Sequence, residues 1–275
     1  MASPLSTEQS PLLPFADDAM VRRVHGEGVL LLGGGRALLM QIAHPDVARG
    51  VAEHSRFREE RFGRLLRTLR PMFAIAFGTR EQALKAVSII NRIHEGVVGP
   101  STSSGQDPST RSGQGPRYRA SDPDLMLWVL ATLIDTGLVM HERFVRPLAR
   151  DEAQAYYEDM RRFGLLFGLA PEQMPATVED LRAFVDEMST SLRVSDEARE
   201  IASALFDGGL LMTLATAPMR QLTAGLLHPA LRDQFGLSWG PERERALRML
   251  ARTSRIVVPR LPPRLRAPPW FVMPP

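Results

Sequence analysis

Apolar residues recur at steps of three and four along most of the chain, and runs that alternate apolar with polar positions are almost absent. That spacing puts the apolar residues on one face of a helix, so the sequence predicts an all-α protein. The predicted helices cover 17–27, 29–42, 45–53, 58–69, 80–97, 123–145, 150–167, 177–188, 195–207, 212–227, 229–235 and 241–255. Several starts are punctuated. Thr79 stands before Arg80-Glu81-Gln82, which predicts an N-cap with a capping-box glutamine at N3. Asp122-Pro123 supplies an N-cap followed by proline at the first helical position. Thr177-Val178-Glu179-Asp180 and Ser195-Asp196-Glu197 open further helices with acids in the first turn. Pro71 after Arg70, and Pro229 after His228, read as places where the chain ends a helix or turns.

The pattern breaks between Gly99 and Ser121, where the chain is polar and rich in Gly, Ser and Pro until Tyr118. A mobile surface loop is expected over 100–121, inside one domain, because the helices on both sides are too apolar to stand apart. The predicted organisation is an N-terminal extension (1–20), one helical domain (21–255) and a Pro/Arg-rich C-terminal arm (256–275). The arm reads either as extended chain laid over the body, with Trp270 and Phe271 as anchors, or as disordered. Gly33-Gly34-Gly35 follows no strand and lacks GxGxxG spacing, so it marks a close packing point or a kink rather than a dinucleotide site.

Composition narrows the chemistry. The 275 residues include no cysteine, which excludes disulfides, thiolate nucleophiles, cysteine-bound zinc and iron–sulfur clusters, and a cysteine ligand to haem. Lys85 is the only lysine, and the net charge is +3. Arginines interleaved with acids, rather than gathered in one basic block, predict no nucleic-acid partner. The first residues lack the cationic and apolar regions of a signal peptide. The two greasiest stretches, 28–43 and 125–140, are short for a membrane span and carry Arg36 and Asp135, so they read as buried core helices. A soluble, cytoplasmic protein with no membrane span is expected.

Few residues are placed for chemistry. The chain has no HExxH and no Glu-x-x-His, so zinc-peptidase and di-iron bundle readings fall away. A hydrolase serine would need alternating strands and helices to present it, and that alternation is missing. His94 stands out. In REQALKAVSIINRIHEG the apolar residues Ala83, Val87 and Ile90 form one stripe, and His94 falls next on it. Two readings stand: a core histidine satisfied by hydrogen bonds, or one that holds something. Arg64 and Thr68, four apart on one face, suit either a polar pocket edge or a solvated surface. His44-Pro45 reads as a helix junction with His44 capping the outgoing carbonyls. Trp128, Asp135 and Glu142 recur at steps of seven on one helix, with His141 beside Glu142. Asp135, set in an apolar run, either pairs with an arginine such as Arg36 or orients a functional group.

Five segments together resemble one family: LLLGGGRALLMQIAHPDVARGVAEHSRF, FGRLLRTLRPMFAIAFG, NRIHEGVVG, YRASDPDLMLWVLATLIDTGLVMHERFVRPL and YYEDMRRFGLLFGLAPEQMPAT. Their order and spacing are similar to the catalytic domain of rubber oxygenases (latex clearing proteins) and the MpaB-type oxygenases, from about 21 to 188 and more weakly to 255. The resemblance implies a single globin-like helical bundle around a b-type haem. It implies that His94 is the axial iron ligand and that Arg64 and Thr68 line the distal side near bound oxygen. Where rubber-cleaving members can place a lysine on iron, this chain has Arg67. A guanidinium stays protonated and cannot ligate, so the resemblance implies a five-coordinate or water-bound iron. Where the family often has a histidine after Trp128-Val129, this chain has Leu130. The function expected is a haem-b-dependent oxygenase, an oxidoreductase acting with dioxygen on a small apolar or amphipathic substrate, unsaturated ones included. The alternative is a non-catalytic helical carrier or sensor of haem or another lipophile.

Overall fold

The computed structural model describes residues 12–54, 70–100, 117–206 and 210–268. The helices are α1 (Met20–His25), α2 (Gly34–Ala43), α3 (Pro45–His54), α4 (70–77), α5 (Arg80–Gly96), α6 (Pro123–Phe144), α7 (Arg150–Leu166), α8 (Val178–Ser191), α9 (Asp196–Phe206), α10 (Leu210–Leu226), α11 (Pro229–Gln234), α12 (Pro241–Val257) and α13 (Pro263–Arg266). The all-α expectation is met. Strand among the described residues is limited to β1 (Val98–Pro100) and β2 (Arg117–Arg119), an antiparallel pair with Gly99 opposite Tyr118.

The fold is organised around α6, which touches α1, α2, α7, α8 and α12. Trp128, Ala131, Ile134, Leu138 and Met140 of α6 are all buried, which explains why this helix is apolar on most of its circumference. It is long and apolar enough to cross a membrane by composition, yet 61% of its apolar window lies inside the protein. It begins as its sequence predicts: Asp122 Oδ1 accepts from the Asp124 amide at 2.9 Å, and Pro123 fills the first position. A second, smaller core joins Met140 and Phe144 of α6 to Leu222 and Leu226 of α10 and Leu247 of α12.

The three glycines do what the pattern suggested, in both senses. A 3-10 turn over Gly28–Gly33 becomes the α-helix α2 at Gly34, so the axis changes character there. The packing is also close. A Cβ at Gly33 would lie 2.7 Å from Met140 Cγ, and one at Gly35 would lie 2.3 Å from Thr223 Oγ1.

Three expectations shift. Residues 70–77, between the predicted helices 58–69 and 80–97, are helical, and the residues before 70 lie outside the described residues. Phe73 and Phe77 stack one turn apart at 5.6 Å, and Ile75 and Ala76 are buried, so an apolar face holds this helix. The ends of the 100–121 segment, expected as loop, form the β1–β2 ribbon, because Tyr118 is buried against Gly50 and Gly99 and donates to Glu53 Oε2 at 3.0 Å. Residues 101–116 lie outside the described residues. The C-terminal arm is described to Pro268: α12 runs to Val257, and a 3-10 turn and α13 follow. Trp270 and Phe271 lie outside the described residues.

Candidate functional site

His94 sits in the last turn of α5, and the local sequence fixes that helix at both ends. The capping box forms as predicted: Gln82 N–H donates to Thr79 Oγ1 at 3.3 Å, and Thr79 N–H donates to Gln82 Oε1 at 2.9 Å. At the other end the Val97 amide donates to the His94 carbonyl. Ala83 and Val87 are fully buried and Ile90 packs against the core, so the predicted stripe does face inward. It ends on a half-buried imidazole whose Nδ1 is buried with no hydrogen-bond partner among the described residues. The ring of Phe167, at the end of α7, lies 6.4 Å away at 60°. Burial pushes the His94 pKa down, so the ring is neutral near pH 7. An imidazole nitrogen sealed from water and given no partner costs about 1–3 kcal/mol.

The other sequence candidates resolve into structural roles. Asp135 takes the pairing alternative: Arg36 Nη2 donates to Asp135 Oδ2 at 2.6 Å, Nη1 to Thr136 Oγ1 at 2.7 Å and Nε to the Leu226 carbonyl at 2.8 Å. Both charged side chains are buried, and the guanidinium is satisfied along all its edges. His44 caps the incoming helix rather than the outgoing one, because its Nδ1 accepts from the Asp46 amide at 3.3 Å. His228-Pro229 repeats the device at α11, with Nδ1 accepting from the Ala230 amide at 3.2 Å. His141 is buried with Nδ1 at 3.2 Å from the Arg146 carbonyl, which makes that nitrogen the donor. Leu130, where the family often has histidine, is buried apolar surface. Arg64, Arg67 and Thr68 lie outside the described residues.

Two features escaped the sequence reading. Gly236-Leu237-Ser238-Trp239-Gly240 has the G-x-S-x-G spacing of a hydrolase elbow, but it forms the α11–α12 connection with no strand before it. Ser238 Oγ accepts from Arg243 at 2.7 Å. The nearby His228 has both nitrogens engaged, Nδ1 by the Ala230 amide and Nε2 by Asp186 at 3.1 Å, so it is no general base for that serine. The second feature is His25, whose Nε2 lies 3.0 Å from the Tyr156 hydroxyl, with Phe73 edge-on to the imidazole. Burial drives the His25 pKa down to about 4 and the Tyr156 hydroxyl well above its ordinary value. Only Gly137 leaves room for that hydroxyl, since a Cβ there would lie 2.3 Å from it. Contact between α1 and α7 has no local signature in sequence.

Two cavities lie elsewhere. One, of about 590 Å³, is lined by Arg36, Asp135, His228, Arg232 and Trp239, and one of about 310 Å³ by Glu27, His141, Arg146 and Arg266. Among the described residues, no three His, Asp or Glu side chains gather closely enough to hold a metal ion by themselves.

Comparison with known proteins agrees with the resemblance read from the motifs. Two mycobacterial proteins, "uncharacterized protein Mb2261" of Mycobacterium bovis and "uncharacterized protein Rv2237" of Mycobacterium tuberculosis, are each 26% identical over 227 residues, covering 80% of this chain and 85% of theirs. No solved structure matches the chain. Residues 22–256 match the family described as ER-bound oxygenase mpaB/B'/rubber oxygenase, catalytic domain. The chain therefore belongs to the mpaB/rubber oxygenase catalytic-domain family and is an oxidoreductase of the oxygenase class.

Proposed function

We propose that this oxygenase depends on haem b, with His94 as the axial ligand to iron, and that it acts with dioxygen on small apolar or amphipathic substrates. The observation that carries the reading is the buried, unpartnered Nδ1 of His94, on a ring that burial keeps neutral. Neutral imidazole is the ligating form, and one histidine suffices when a porphyrin supplies the other nitrogens. Bound haem would supply the activation of dioxygen. The chain supplies position and environment. Ala83 and Val87 lock α5 to the core, so the imidazole is held on a rigid helix, and Phe167 shields it from water. By the family resemblance, Arg64 and Thr68 stand on the distal side, where a guanidinium and a hydroxyl can orient a bound polar molecule. Arg67 carries no lone pair for iron, so it would not be a ligand to the group. A globin-like arrangement of helices about the group belongs to the same reading.

Absorption spectroscopy tests it. Purified protein, as isolated or after reconstitution with haem, is expected to show a Soret band that His94→Ala shifts or abolishes. Arg64→Ala and Thr68→Ala are expected to keep the band while slowing oxygen consumption with an apolar substrate. A spectrum unchanged in His94→Ala sinks the ligand assignment.

A further inference from the structure

The C-terminal region breaks the charge pattern of the rest of the chain. From 245 to 268 there are seven arginines and no acid, against a whole-chain charge of +3, which leaves the remaining residues at −4. The same stretch carries the three most exposed large apolar side chains among the described residues, Leu265 at 70%, Met249 at 68% and Ile256 at 59%, and Leu250 at 53% as well. Neither property is accidental to a frayed end, because the stretch is pinned. Leu247 is buried, Ser254 Oγ donates to the Phe144 carbonyl at 2.7 Å, and Arg255 Nε donates to the Arg143 carbonyl at 3.1 Å. Arg266 Nε donates to the buried carboxylate of Glu27 at 3.1 Å.

Helical geometry sorts the outward face of α12 into two rows. At 100° per residue, Arg245, Arg248, Arg252 and Arg255 follow steps of three and four along one side. Met249 and Ile256 run beside them, one heptad apart, and Leu250 and Val257 continue the apolar side. Arginines 245, 248, 252, 255, 260 and 264 have no carboxylate partner among the described residues. Free cations beside an exposed apolar row, on a helix lying flat against its protein, are the requirements of an interfacial helix on an anionic bilayer.

We propose that the outward face of α12 docks on the surface of a membrane rich in anionic lipid, with the arginines at the headgroups and Met249 and Ile256 entering the acyl boundary. Competing occupants fit less well. A second copy of the chain packed through this face would set unpaired arginines against unpaired arginines. A nucleic acid would satisfy the arginines and leave the apolar row in water. The location also suits an enzyme whose substrate is apolar, although the test needs neither haem nor substrate.

Flotation of the full chain with lipid vesicles decides the matter. Binding is expected to vesicles of phosphatidylcholine and phosphatidylglycerol in equal parts, to be weak with phosphatidylcholine alone, and to fall as salt rises. Arg248→Gln with Arg252→Gln should weaken partition roughly thirtyfold, taking each arginine near the surface at its usual contribution. Met249→Gln with Ile256→Gln should weaken it by roughly tenfold or more. All four side chains are exposed, so circular dichroism and the melting temperature should match the parent. Failure of the parent chain to bind anionic vesicles overturns the proposal. So does a loss confined to the arginine variant, which, with tight duplex-DNA binding, would identify a polyanion site. A dimer dispersed by the Met249/Ile256 pair of substitutions would identify self-association instead.

Discussion

The buried polar residues divide by whether their partners can be seen in sequence. Asp135 in an apolar run demanded a cation, and Arg36 in the other apolar run was the natural choice; the structure joins them at 2.6 Å. The inward placement of His94, though not a partner for it, was legible too, because it is a polar residue continuing an apolar stripe. His25 was not, because Tyr156 lies 131 residues away and nothing near either residue announces the other. That pair makes a pH prediction. The folded pKa of His25, about 4, lies below its ordinary 6.5, so between those values the unfolded chain binds more protons than the folded one. Stability is then complete above pH 6.5 and declines as pH falls toward 4, by at most about 3 kcal/mol from this residue. Burial lowers the pKa of His44 and His94 as well, which adds in the same direction. His25→Gln keeps a hydrogen-bonding group for Tyr156 but does not titrate. Urea denaturation at a series of pH values should show a flatter acid limb for that variant; an unchanged limb would show that His25 does not carry it.

Helix faces and helix starts follow from spacing and capping residues within a few positions, and these were the most legible elements. Thr79 with Gln82, Asp122 with Pro123 and Thr177 with Asp180 all cap as read. What spacing could not supply was decided by distant surface. Helix 70–77 forms because Ile75 and Ala76 find a core, and β2 forms because Tyr118 finds Gly50 and Glu53. The glycine run belongs to both groups: its oddity was visible, its partners were not. Gly35 meets the side chain of Thr223, itself fully buried, so neither side has room to move. Gly35→Ala should therefore destabilise the fold by about 1–3 kcal/mol through overpacking, despite alanine's better helix propensity. A control substitution at Gly96, which meets nothing within 4 Å, should not destabilise by this mechanism. Equal destabilisation of the two variants in denaturant melts would remove the packing explanation.

At the scale of the whole molecule, the two ends of the chain are tied together. The 3-10 turn that opens the glycine run starts at Gly28, where a Cβ would lie 2.8 Å from the Arg266 carbonyl, and Arg266 in turn holds Glu27. Glu27 has only 6% of its side chain exposed, whereas Arg266 keeps 29%. The buried partner is thus the carboxylate, and its charge is the one stranded when the arginine is removed. The contact also raises the Arg266 pKa, through the hydrogen bond to Glu27. Arg266→Ala is expected to lower stability by about 2 kcal/mol, below the range for a fully buried pair because the guanidinium is partly solvated. Glu27→Gln removes the stranded charge, so adding it to Arg266→Ala should recover part of the loss. A double-mutant cycle measured by thermal melting reads this directly: simple additivity of the two substitutions would mean that the clamp contributes nothing as a pair. If the coupling appears, the Pro/Arg-rich arm to Arg266 is part of the folded unit, because the charge that pairs with Glu27 beside the glycine run is supplied from α13.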